Sequence, residues 1–225
     1  MSSSGPNSGG TFANDTTVGS SNWASLSAAA ASDNVRADSG ALGTTATYYL
    51  KATNFGFSIS GTIDGITVAI ERQSFSFGGQ KFRDFSLKLV KSGSVTGSDY
   101  AATSTDWPNG TDATATYGGA TDLWGTTWTD TEINDSGFGV AISGKAFNFG
   151  KGGVTGFIDH ITITVDYTAG GAAGQPTSKR FGGIPFMGGH GAGIPSAVRQ
   201  WMRRDSGLFA PQVATAIWRP AHGIN

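Results

Sequence analysis

The chain has 225 residues, of which 38% are hydrophobic and only 14% charged, against about 25% charged in an average domain. This length can bury one sizeable core, and the absence of cysteine excludes disulfides and thiolate metal sites. The net charge of −1 hides a division: residues 1–168 carry nine Lys/Arg against fifteen Asp/Glu, while residues 169–225 carry six against Asp205 alone. An acidic body with a basic tail points to a tail that seeks an acidic surface.

Glycine is abundant (35 residues), as are Ser and Thr, and 11% of residues are aromatic. Such a composition suits an all-β protein with many turns, and the aromatics supply the apolar area that ordering requires. The first stretch, "MSSSGPNSGGTFANDTT", lacks the basic start and apolar core of a signal peptide. No run approaches the ~18 apolar residues of a membrane-spanning helix. Residues 1–20 are expected to form a flexible N-terminal arm, followed by a β-sandwich domain over 21–168.

Within that domain "YYLKATNFGFSI" (48–59) alternates loosely and leads into "GTIDGITVAIERQS". There Ile63, Thr67, Ala69 and Glu71 fall on one parity, and Ile66, Val68 and Ile70 on the other, towards the core. "FRDFSLKLVKSG" (82–93) puts Phe85, Leu87 and Leu89 on one face and Ser86, Lys88 and Val90 on the other. "GFGVAIS" and "GFIDHITITVDYT" supply two more strands; in the second, Ile161, Ile163 and Val165 alternate with Thr162, Thr164 and Asp166. Two segments echo each other, Ile63-Asp64-Gly65-Ile66-Thr67-Val68 and Ile158-Asp159-His160-Ile161-Thr162-Ile163. Each Asp is expected to accept backbone N–H bonds in a turn before its strand, one device used twice. Strand-like runs separated by Gly/Asn/Asp/Ser clusters predict a β-sandwich or barrel. The one helical turn predicted is "TDTEI", where Thr129 and Glu132 match a capping box.

After Tyr167 the composition changes. Residues 169–178 form a Gly/Ala/Pro linker. Residues 179–225 contain Phe181, Phe186, Met187, Trp201, Phe209 and Trp218 between glycines and prolines, too apolar to float in water and too broken to build a core. An extended basic, aromatic C-terminal arm fits best, with a short helix in "IPSAVRQWMRR". Its partner-binding residues are expected to be Arg180, Phe181, Phe186, Arg199, Trp201, Arg203, Arg204 and Trp218.

No Ser/His/Asp triad order, phosphate loop, zinc pattern or paired-carboxylate signature is discernible, and no cofactor is implied. "GGHGAG" at 188–193 follows no strand and lacks the Lys-Ser/Thr of a phosphate loop. His160 has no second His or Cys to share a metal. Asp99, Asp106 and Asp112 are dense enough in oxygen to raise a calcium site, but their spacing matches no loop motif, and solvated loop carboxylates are the expected reading. Trp107, Trp124 and Trp128 are candidate stacking surfaces for a sugar ring. The local grammar of Trp124 and Trp128 favours a structural plug instead, since the capped turn needs an apolar neighbour and indoles seal sandwich ends. Arg199 and Arg203 share a helix face beside Trp201, but six basic groups over the tail are thin for a nucleic-acid binder.

"YLKATNFGFSISGTIDGITVAIER", "KLVKSGSVTGSDYA", "TYGGATDLWGTTWTDTEINDSGFGVAIS" and "FIDHITITVDYT" resemble, in that order, a β-sandwich domain of virion proteins from tailed bacteriophages. The ending "KRFGGIPFMGG…VRQW" also looks like the C-terminal endings of such proteins. The resemblance implies an antiparallel sandwich of jelly-roll type and a non-enzymatic structural role in the virion, as a head decoration or cement protein or a tail-associated component. It brings no catalytic residues. The partners then expected are the major capsid protein, other virion proteins or sister copies in a homo-oligomer, a trimer among them. A receptor-binding or carbohydrate-binding module is the alternative; no membrane partner is implied.

Overall fold

A computed structural model describes residues 1–147 and 153–170. The chain divides into two compact units, Met1–Pro176 and Thr177–Asn225. The second unit, and with it all eight predicted partner-binding residues of the arm, lies outside the described residues.

The first unit is an all-β, antiparallel sandwich. Its strands are β1 (Ser2–Ser8), β2 (Thr11–Asp15), β3 (Ala37–Asp38), β4 (Tyr49–Thr53), β5 (Gly61–Phe75), β6 (Lys81–Lys91), β7 (Ser94–Thr96), β8 (Ala113–Gly119), β9 (Gly139–Phe147) and β10 (Thr155–Ala169). One sheet runs β1-β10-β5-β8, with β3 also on β10; the other runs β2-β4-β9-β6-β7. From β4 onward every connection except β6–β7 crosses between the sheets, the winding of a jelly-roll. The only α-helical segment among the described residues, α1 (Asp130–Asn134), carries the predicted capping box: Thr129 Oγ1 accepts from the Glu132 N–H at 3.2 Å, and Glu132 Oε2 from the Thr129 N–H at 2.9 Å.

The N-terminal arm is a correction. Residues 2–8 pair with β10 and residues 11–15 with β4, so the first twenty residues edge both sheets, crossing between them at Gly9-Gly10. An edge strand is held by its backbone ladder and needs no buried side chains, so a polar sequence serves. Pro6 falls inside the register shift between Ser4 and Asn7, where no ladder N–H is required.

The β5–β10 ladder organises the rest. It breaks register twice: Asp159 is the extra residue between the pairs Ile158↔Arg72 and His160↔Glu71, and Asp64 is the extra residue between Gly65↔Asp166 and Ile63↔Tyr167. The echoed Ile-Asp-x-Ile segments are therefore one device used twice, but the device is a β-bulge inside a long strand, not a turn before it. Each bulge resets parity, so Ile63 joins Ile66 in the core and Ile158 joins Ile161, although three residues separate them. A third bulge, at Phe85 between Asp84↔Gly144 and Ser86↔Ser143, has the opposite consequence. Phe85, expected on one face with Leu87 and Leu89, is exposed while they are buried.

The inner faces meet through Ile66, Val68 and Ile70 of β5, Ile161, Ile163 and Val165 of β10, Leu87 and Leu89 of β6, and Val140 and Ile142 of β9. Each such side chain contributes about 1.5–3 kcal/mol by burial. Phe82 fills the space between Gly144 on one sheet and Gly156 on the other, and a Cβ on either glycine would overlap its ring.

A buried ion pair also ties the sheets together. Arg72 on β5 donates through Nη1 to Asp84 on β6, both nearly inaccessible. Asp84 accepts in addition from Trp107 Nε1 (2.7 Å), the Tyr117 hydroxyl (2.8 Å) and the Ala102 N–H (2.8 Å). The Arg72 guanidinium lies 4.9 Å from the Trp107 ring and 5.5 Å from that of Tyr117. Burial, with the Asp84 charge adding to it, pushes the Tyr117 phenol far above its ordinary range, so it is a donor at any physiological pH.

Candidate functional site

The tryptophans do not form a ligand platform. Trp107, Trp124 and Trp128 are 2%, 0% and 7% exposed. Their indole N–H groups donate to Asp84 Oδ1 (2.7 Å), the Ile66 carbonyl (2.9 Å) and the Leu123 carbonyl (3.1 Å) respectively. Trp107 stacks on Trp23 at 6.4 Å, Trp124 meets Tyr100 at 4.5 Å, and Trp128 meets Phe138 edge-on at 5.3 Å. With faces covered and donors spent inside the protein, the stacking reading is corrected. Trp124 and Trp128 plug the sandwich where α1 leads into β9.

Asp99, Asp106 and Asp112 do not converge either. Asp99 accepts from Ser86 Oγ and from the N–H groups of Leu87 and Ala101. Asp106 pairs with Arg83 and Lys81, which hold its carboxyl below the usual range against the effect of burial. Asp112 pairs with Arg36. His160 is half-buried, its Nε2 hydrogen-bonded to Ser8 Oγ at 2.8 Å.

What the sandwich does present is a groove of about 620 Å³ on the outer face of the second sheet, within the ~300–1,000 Å³ of ligand sites. Tyr49, Val18 and Val95 line it; Tyr49 forms a small apolar cluster with Val90 and Ala141, on β4, β6 and β9, against which Val18 and Val95 pack. Asp15 and Thr17 line the groove, as do Gly93, Ser94 and Asp99. Phe85, turned outward by its bulge, lines it with Ser86 and Lys88.

The groove's polar groups are arranged in chains. The Tyr49 hydroxyl lies 2.6 Å from Ser86 Oγ, which donates to Asp99. Burial raises the Tyr49 phenol pKa, an effect that its bond to Ser86 only partly offsets. Burial opposes the charge on Asp15, but the Lys51 ammonium at 2.8 Å and the Thr17 hydroxyl at 2.6 Å outweigh it and keep that carboxyl below the usual range. Both acids are thus held by the chain's own donors. Lys88, Ser94 and the Phe85 ring line the groove beside them, a set suited to contact with a polar surface or a hydroxyl-rich ligand.

A second exposed feature lies at the β5–β6 connection, which crosses from one sheet to the other. Phe77 is 93% exposed and Phe75 45%, their rings edge to face at 4.8 Å. Neither the groove nor this tip is among the expectations drawn from the sequence. The signal for the tip was Phe75-Ser-Phe77 running straight into Gly78-Gly79, an apolar pair at a turn with no core parity to serve. Among the described residues no helix is long and apolar enough to cross a membrane.

No protein-family model and no curated protein matches the chain. Among solved structures it is similar to the N-terminal cellulose-binding domain of Cellulomonas fimi β-1,4-glucanase C, at 14% identity over 60% of this chain and 80% of that one, with a TM-score of 0.26.

Proposed function

We propose that this chain is a non-enzymatic structural protein of a phage particle, a sandwich body on the capsid exterior anchored through residues 179–225 to the major capsid protein or to sister copies. The observation that carries this reading is the segregation of charge and aromatics along the chain. The body is acidic and uses its tryptophans in its own core, whereas the C-terminal stretch is basic and holds Phe181, Phe186, Trp201 and Trp218 beyond the last core strand. The resemblance to virion sandwich domains agrees with it. The exposed Phe75–Phe77 tip adds an apolar contact point that is a liability on a free monomer and useful in a packed shell. Arms on repeated subunits multiply weak contacts by avidity.

The test is co-sedimentation with capsids lacking the protein, using the full chain, a chain ending at Gly170, and full-length Trp201→Ala/Arg203→Ala/Arg204→Ala. Only the unmodified full chain should pellet with capsids. Pelleting of the shortened chain at full occupancy would remove the arm from the reading. The groove supports a second reading, a glycan contact on the outer face of the second sheet. Calorimetric titration with host surface polysaccharide checks it, and Phe85→Ala with Lys88→Ala should abolish any heat observed.

A further inference from the structure

The Asp159 bulge leaves a polar group unaccounted for. Asp159 is 1% exposed, and its Oδ1 atom is buried with no hydrogen-bond partner among the described residues. Its other oxygen accepts the Asn34 N–H at 3.2 Å. The sister bulge at Asp64 shows that the geometry itself does not demand this: Asp64 Oδ2 accepts from the Thr168 hydroxyl at 2.8 Å, and neither of its oxygens is buried without a partner. A buried carboxylate oxygen without a donor is costly, and native structures resolve such groups with a proton, a water or a cation.

Two other carboxylates converge on the same place. Glu71 is on β5 across from the bulge, and Asp112 immediately precedes β8, so three separate elements deliver acids to the outer face of the first sheet. One oxygen from each of Glu71, Asp112 and Asp159 lies within 4.8 Å of the others. The segment Ala30–Arg36 lies against this face, with Ala30 bridged to His160 and the Asn34 N–H on Asp159. Arg36 is the cation paired there, through Nε and Nη2 to Asp112, and Nη2 also donates to Asn34 Oδ1. Three carboxylates against one guanidinium leave two negative charges, the deficit a divalent ion fills.

We propose that Glu71, Asp112 and Asp159 hold a calcium ion between the outer face of the first sheet and the Ala30–Arg36 segment. The donor set is oxygen only, which selects a hard cation over zinc or copper. Donors within 4.8 Å of one another are close enough to share one ion, and an irregular set completed by water suits calcium, with its flexible shell of about 6–8 oxygens, better than magnesium, which demands near-ideal octahedral geometry. Bound calcium would tie β5, β10 and the loop before β8 to the Ala30–Arg36 segment, and so rigidify one outer face of the sandwich.

The full chain, stripped with a chelator and then freed of it, is titrated with calcium chloride by calorimetry and by thermal melting, with magnesium chloride in parallel. One calcium per chain is expected, with a melting temperature about 5–10 °C higher at a hundredfold excess over Kd. Magnesium should act at least tenfold more weakly. Asp159→Asn and, separately, Glu71→Gln should each weaken calcium binding at least tenfold, while Asp64→Asn at the sister bulge leaves it unchanged. Glu71 is only half-buried, so its variant tests the site even where Asp159→Asn folds poorly. No heat and no melting shift at millimolar calcium would overturn the proposal, as would undiminished binding in Glu71→Gln. A protein stabilised by acid alone, with no calcium response, would assign the orphan oxygen to a proton.

Discussion

Asp84→Asn is expected to be among the most destabilising single changes in the sandwich. Asparagine keeps the volume but removes the charge that offsets Arg72, and an unpaired buried cation costs about 3–5 kcal/mol. The amide must also replace a carboxylate that accepts from Trp107 Nε1, the Tyr117 hydroxyl and the Ala102 N–H as well as Arg72. With one acceptor oxygen for these donors, at least one more is left unsatisfied, at about 1–3 kcal/mol. The Trp107 and Tyr117 ring faces still attract the guanidinium and return up to about 2 kcal/mol. The net expectation is about 4–6 kcal/mol, a large share of the ~5–15 kcal/mol that stabilises a domain. Arg72→Met should cost less, because the carboxylate it strands keeps three hydrogen bonds whereas the stranded cation keeps none from a carboxylate. Urea unfolding of both variants at pH 7, followed by indole fluorescence, reads the two midpoints at a common slope. An Asp84→Asn cost below about 1 kcal/mol, or below that of Arg72→Met, would refute this account of how the sheets are joined.

Other expectations follow from the same packing. Gly156→Ala drives a methyl into the Phe82 ring and should cost about 1–3 kcal/mol in the same urea assay. Thr129→Ala removes the cap of α1 and should cost about 1 kcal/mol, with little change in overall circular dichroism. In a chain carrying Trp201→Phe and Trp218→Phe, the remaining indoles should emit at short wavelength and resist iodide quenching, whereas an exposed platform would be quenched. Asp159→Asn in calcium-free solution should be neutral or stabilising at pH 7, with a difference from wild type that vanishes towards pH 4. The sign follows because the folded carboxyl titrates above its unfolded value of 3.8, so its contribution is most favourable below that value and is lost as pH rises. Asp15, Asp106 and Glu132 are lowered and act the other way, so their contribution fails as pH falls below about 4.

Much of the interior was legible because alternation reports burial directly. Ile66, Val68 and Ile70, and later Ile161, Ile163 and Val165, stand where the pattern puts them, and so does the capped turn at Thr129. The errors have a common source in parity. Alternation along an unbroken strand puts Ile63 opposite the core and Phe85 on the face of Leu87 and Leu89, and in each case one extra residue reverses the face. The N-terminal strands were invisible for another reason: their pairing is in the backbone of edge positions, and "SSSGPNS" carries no side-chain pattern to betray it. Asp84 offered a signal, an acid on the same parity as buried Phe82, which a strand tolerates only with buried donors waiting.

The acidic cluster shows where reading along the chain ends. Glu71, Asp112 and Asp159 are far apart in sequence, and Asp112 looked like a companion of Asp99 and Asp106, to which it is unrelated in space. Yet the repeated Ile-Asp-x-Ile held half of the answer. Two isoleucines three apart cannot both face the core of a regular strand, so the residue between them must bulge, and an aspartate there is thrown onto the outer face. At Asp64 that face offers Thr168, and the carboxylate is content. At Asp159 it offers two further acids and an overlying loop, and one oxygen finds no donor. The same local device thus gives a plain strand irregularity at one end of the ladder and a charged, under-satisfied pocket at the other. The difference lies wholly in what the other elements bring to it.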